Sequence, residues 1–119
     1  MKLSLETLQQ AGAFTGAPVE REITWKQGKQ ELTATVYVRP LSYLAAVSDL
    51  RALAGKEDGV AGRIAASICD EHGKPVFTPE DITGEADPSR GALDGNLTMA
   101  LLAVIAEVNN LGKTPRSAS

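Results

Sequence analysis

One cysteine and one histidine in 119 residues leave little room for disulfide or metal chemistry. Cys69 alone closes no internal disulfide and fits a reducing compartment. Cys69 and His72 are spaced like half of a zinc site. A structural zinc ion needs four ligands, and no second Cys or His exists to complete the set. Aromatic residues are also scarce, at 4%, so the core must rest on Leu, Ile, Val and Ala. Long hydrophobic runs are missing too. The most apolar run, residues 97–108, falls well short of the ~20 residues a bilayer span requires. Glu6 interrupts Leu3-Ser4-Leu5 before any signal core develops. The formal charge of −3 carries no basic concentration of the kind nucleic-acid phosphates demand. Arg21, Lys26, Lys29 and Arg39 are interleaved with Glu20, Glu22 and Glu31, which describes a solvated mixed-charge surface. A cytoplasmic protein binding neither nucleic acid nor membrane is expected.

Catalytic constellations are equally sparse. Cys69 and His72 share one local segment, with no orienting third group and no evident oxyanion donor. The carboxylate pairs Glu57–Asp58, Asp70–Glu71 and Glu80–Asp81 are adjacent, and neighbouring residues on a helix point apart. Gly112-Lys113-Thr114 resembles the end of a phosphate loop, but no strand precedes it and no helix follows. No catalytic, cofactor-binding or metal-binding residue is assigned. The expectation is a non-enzymatic binding or assembly role.

The clearest positive signal is a period of two. Val19, Arg21, Ile23 and Trp25 alternate with Glu20, Glu22, Thr24 and Lys26; Leu32, Ala34, Val36 and Val38 alternate with Glu31, Thr33, Thr35 and Tyr37. Such alternation marks half-buried strands. Gly28-Lys29 offers a two-residue turn that sets Gln27 opposite Gln30, Trp25 opposite Leu32 and Ile23 opposite Ala34. Arg21 is the exception on the apolar face and is expected to reach its edge. A two-stranded hairpin is marginal alone, so it must pack on helices or on another subunit.

Around this hairpin, over residues 19–39, the spacing predicts helices at about 4–13, 41–54, 59–72, 79–83 and 93–111. The first carries Leu5, Leu8 and Gly12 along one stripe. The second is expected to turn Leu44, Val47, Leu50, Leu53 and Ala54 inward. Asp58 is a plausible cap for the third, whose apolar face is Val60, Ile64 and Ile68, with His72 in its last turn and Gly73 just past its end. Thr78 caps the fourth, with Pro79 at its first position and Asp81 three residues on. Residues 84–92 read as a mobile loop. The fifth helix, with Leu97, Leu101, Val104 and Val108, is apolar around most of its circumference, which places it in the core, against a partner, or both. The fold class is α+β: a mainly helical single domain over residues 1–111 with an N-terminal two-stranded antiparallel hairpin, then a flexible tail at 112–119.

The segment Asp70-Glu71-His72-Gly73-Lys74-Pro75-Val76-Phe77-Thr78-Pro79-Glu80-Asp81, with the closing Glu107-Val108-Asn109-Asn110-Leu111-Gly112-Lys113, resembles the tail assembly chaperones of long-tailed bacteriophages and prophages. The resemblance runs from about Ile23 to Lys113. It implies a protein that binds the tape measure protein, keeps that long helical chain soluble while the tail tube polymerises around it, and is absent from the finished virion. It also implies self-association and, through a programmed frameshift near Gly112-Lys113, a minor extended product that contacts the tail tube protein. Periodicity alone names Trp25, Tyr37, Leu97, Leu101, Val104 and Val108 as interaction residues. The alternatives are a small structural tail or head–tail joining protein, or a bacterial adaptor that dimerises through its last helix.

Overall fold

The computed structural model describes residues 2–14, 16–40, 42–55 and 58–109. One short capped helix precedes the strands. Helix α1 (Leu5–Gln10) starts where the Ser4 hydroxyl accepts the Thr7 N–H and Thr7 answers the Ser4 N–H. It ends near residue 10, short of the expected 13, and buries no residue.

Strands β1 (Val19–Gln27) and β2 (Gln30–Val38) pair in the predicted register, including Gln27 opposite Gln30, Trp25 opposite Leu32 and Ile23 opposite Ala34. Gly28 supplies the positive φ, 64°, that so tight a turn demands. One face of this hairpin carries Ile23 and Trp25 onto the helical layer, and Arg21 reaches the rim, where its Nε lies 3.2 Å from Glu107 Oε1.

Helix α2 (Tyr43–Leu53) and helix α3 (Gly59–Ser67) form an antiparallel pair. The expected start of α2 at residue 41 lies outside the described residues. Asp58 caps α3 by accepting the Ala61 N–H at 2.9 Å, as the sequence suggested.

The third helix was expected to continue to residue 72, and here local pattern loses to sheet pairing. Helix α3 ends at Ser67, and Ile68–Cys69 become β3, a third antiparallel strand beside Tyr37 and Val38. Ile68 is β-branched and turns extended at φ −91°, ψ 125°. The Arg39 N–H donates to the Ser67 carbonyl at 2.7 Å and continues that ladder. His72 therefore sits in an exposed turn, away from any helix end. Asp70 organises this turn by accepting the N–H groups of His72 and Lys74, at 2.8 and 2.9 Å. Gly73 is left-handed, as foreseen, with φ 84°, but it serves this turn. Arg39 donates to its carbonyl.

Helix α4 (Pro79–Thr83) carries the predicted capping box of Thr78 and Asp81 with Pro79 at its start. Residues 84–92, expected to be a mobile loop, form a mostly exposed stretch between α4 and α5 that makes several hydrogen bonds. Asp87 accepts from the Ser89 hydroxyl and backbone, Arg90 pairs with Asp81 at 2.9 Å, and the Leu93 N–H donates to the Ile82 carbonyl. Helix α5 (Gly95–Asn109) follows, capped by Asp94, whose carboxylate accepts the Leu97 N–H. The expected end of this helix at 111, and the tail at 112–119, lie outside the described residues.

The result is an α+β single domain: a three-stranded antiparallel sheet, order β1-β2-β3, with five helices among the described residues. The strands sit mid-chain, and one more is present than the two expected. Ile23, Val38, Ile64, Ile68, Ile82, Leu101, Val104 and Ile105 meet in one core between the sheet, α3, α4 and α5.

Candidate protein interface

Of the six residues singled out from periodicity, four come from α5. Leu101 and Val104 are buried in the domain's own core, and Leu97 and Val108 are half-buried against it. Their stripe is the one the sheet covers, so these four side chains face inward as the protomer stands. Trp25 also packs on the core from the hairpin, with its indole N–H donating to Gln27 Oε1. Tyr37 is half-buried opposite Glu20, whose carboxylate raises the phenol pKa above its ordinary value, with burial and Glu71 adding to the shift. Trp25, Val36, Val76, Phe77 and Leu97 do line a shallow apolar cleft of about 200 Å³ beside β2.

The larger apolar surface lies elsewhere. On α2 the expected inward stripe is turned outward. Leu50 is 65% and Leu53 85% exposed, Tyr43 is 80% exposed, and Leu44 and Ala54 are also exposed. The buried side is Ala45 and Ser48, with Ala52 half-buried beside them. The reason is the fit to α3. Small residues let the two helix backbones approach closely, and a Cβ placed on Gly59 would stand 3.4 Å from the Ala52 Cβ. Arg63 and Asp49 pin the pair at 2.5 Å. A leucine stripe would not fit that seam, so the bulky residues occupy the opposite face.

Tyr43, Val47 and Leu50 are spaced by four and three, and Leu53 follows three further on, so they stack along one side of the helix. Among the described elements α2 packs chiefly against α3, which leaves Tyr43, Leu50 and Leu53 to water with Val47 half-buried between them. Sequence reasoning missed this because both stripes of α2 are uncharged. The signal that could have found it is the second stripe, Ala45, Ser48 and Ala52, a small-residue seam at helical spacing. Val60, expected inside on α3, is likewise exposed. Leu3, Leu5 and Phe14 add a further exposed apolar group around α1.

The hollow beside α4 and α5 has its charged groups engaged in structure. A cavity of about 370 Å³ is lined by Phe77, Asp81, Arg90, Asp94 and Leu97, among others. Asp81 gives one carboxylate oxygen to the Thr78 N–H and the other to Arg90, which holds its pKa below the usual carboxylate range. Asp94 caps α5. Cys69 is buried, its Sγ 3.6 Å from the Tyr37 carbonyl, and burial pushes its thiol pKa up, opposite to the shift a nucleophile needs. Among the described residues no group of three His, Cys, Asp or Glu side chains is placed to hold a metal ion, and no helix is long and apolar enough to cross a membrane.

No curated protein and no solved structure matches the chain. The model of the phage tail assembly chaperone family matches residues 6–109, from α1 to the last described residue of α5. The match covers nearly the whole chain, and the chain belongs to the phage tail assembly chaperone family.

Proposed function

We propose that this protein is a non-catalytic holding chaperone that binds the tape measure protein through the outer face of α2 and keeps it soluble until the tail tube grows around it. The observation that carries this reading is the inverted α2, with Tyr43, Leu50 and Leu53 facing water and Ala45 and Ser48 facing the core. A long amphipathic helical client exposes apolar stripes that aggregate. A helix face with large side chains at spacings of three and four can cover such a stripe in the manner of helix-in-groove recognition. Each large apolar side chain removed from water on contact contributes roughly 1.5–3 kcal/mol. A few copies along one client therefore suffice to compete with its self-association, without a deep pocket. The reading places the protein in the host cytoplasm during assembly and outside the finished virion. An extended frameshift product contacting the tail tube protein belongs to the same reading; its junction at Gly112-Lys113 lies outside the described residues.

Co-expression tests this directly. The tape measure protein is expected in the soluble fraction when this chain is co-produced and in the pellet when it is not, and mass spectrometry of purified virions is expected to lack this chain. A tape measure protein equally soluble alone, or this chain present in virions at the copy number of a structural subunit, would contradict the reading.

A further inference from the structure

The outer edge of β1 has a self-complementary order of charges. The turn-closing pair Gln27–Gln30 sets which residues of β1 direct their backbone groups to β2. By antiparallel alternation these are the odd-numbered ones, and Glu20, Glu22, Thr24 and Lys26 direct theirs outward. Two side-chain bonds agree with this direction. Asn96 Nδ2 donates to the Lys26 carbonyl at 2.7 Å, and Arg21 Nη1 donates to the Glu20 carbonyl at 3.0 Å. Each of those carbonyls keeps a second lone pair. The outward backbone groups of Glu22 and Thr24 meet no partner among the described residues. Beneath this edge runs a groove of about 230 Å³ between Glu22, Thr24 and the small side chains Ala100 and Ala103 of α5.

We propose that β1 pairs edge to edge with β1 of a second copy of this chain, antiparallel about a twofold axis at Ile23. In that register Glu20 lies opposite Lys26 of the second copy at both ends, Glu22 lies opposite Thr24, and all nine strand residues are paired. The parity is right, because the outward-directed residues of one copy meet the outward-directed residues of the other. Neighbouring registers of the same parity are worse. A shift of two in one direction sets Glu22 against itself; in the other Glu22 meets Lys26, but Glu20 falls on the turn at Gly28 and the paired stretch shrinks to residues 21–27. Charges on an edge strand ordinarily guard it against addition; an antisymmetric order of charges instead selects one register, and the isologous contact closes the assembly at that edge. The far edge of β2 has no such order: Glu31, Thr33 and Thr35 are its outward residues, and the turn after β3 interrupts it. This pairing needs only a second copy, so it stands or falls independently of the client reading.

Sedimentation equilibrium of the purified chain tests it. The wild type is expected to dimerise, and Lys26→Glu, which sets like charges opposite each other twice, is expected to weaken dimerisation by about tenfold or more while leaving the far-UV spectrum unchanged. Adding Glu20→Lys to that variant is expected to restore the dimer, and adding Glu22→Lys is not. A wild type that stays monomeric at high micromolar concentration, a Lys26→Glu chain that dimerises as before, or rescue by Glu22→Lys in place of Glu20→Lys would each overturn the proposal.

Discussion

In α5 the bulky side chains Leu101, Val104 and Ile105 are buried, and the face left to water carries Ala103 and Met99 with Asn96 and Glu107. In α2 the disposition is reversed, with alanine and serine inside and Tyr43, Leu50 and Leu53 outside. Each helix offers an apolar stripe that reads as fit for a core. What separates them is the surface each packs on. A broad sheet face accepts large side chains from α5, whereas the close α2–α3 seam accepts only small ones. Apolar content therefore does not say which side chains are left to water; the neighbour's shape does.

The most severe break in this comparison is in the core. Leu101→Ala is expected to cost about 2–5 kcal/mol of unfolding free energy in urea, a large part of what a domain this size has. Leu50→Ala in α2 is expected to stay within about 0.5 kcal/mol of wild type in the same assay, since its side chain gains little from folding. Equal losses at the two positions would contradict the inverted disposition of α2.

A smaller effect is expected where the chain turns toward α5. Gly84 caps α4 at φ 96°, and a Cβ there would lie 2.8 Å from the Ala92 nitrogen. Gly84→Ala combines left-handed strain with a backbone clash, and a loss of about 1–3 kcal/mol is expected in thermal or urea unfolding. Thr78→Ala removes the α4 cap and is expected to cost about 1 kcal/mol.

The pH dependence is gentler. Backbone N–H groups of Lys74 and His72 hold the Asp70 carboxyl below its ordinary pKa, the Thr78 N–H and Arg90 do so for Asp81, and the Ser89 hydroxyl and the Arg90 backbone for Asp87. A depressed folded pKa means stability that is fully present above the unfolded carboxylate value and lost as pH falls through the lower folded value. The urea midpoint is thus expected to hold from neutral pH down to the ordinary carboxylate range and to decline below it. Asp81→Asn is expected to lower the neutral midpoint and flatten that decline. A midpoint indifferent to acid would show these contacts to be without weight.

Much of this architecture was legible in the residues. Alternation from Val19 to Val38 with a Gly-Lys turn specified the hairpin register, because a slip of one would have exposed one strand's apolar set. The Thr78-Pro79-Asp81 cap was equally readable, since its bonds are local. Ile68–Cys69 were not. Their place in the sheet depends on the free edge of β2, some thirty residues away in sequence, and nothing within the helix-like run from Val60 marks it. The outer face of α2 was illegible for the same reason: the outward turn of Leu50 and Leu53 follows from the narrow seam between α2 and α3, a tertiary fact.

The proposed client surface is the outer face of α2. The decisive measurement is the affinity of the purified tape measure protein for wild type and for the double variant Leu50→Ser with Leu53→Ser, alongside their urea midpoints. Matched midpoints are expected, with binding weakened by about a hundredfold or more, since two large apolar contacts are removed. A double variant that is equally stable and binds as tightly as wild type would contradict it.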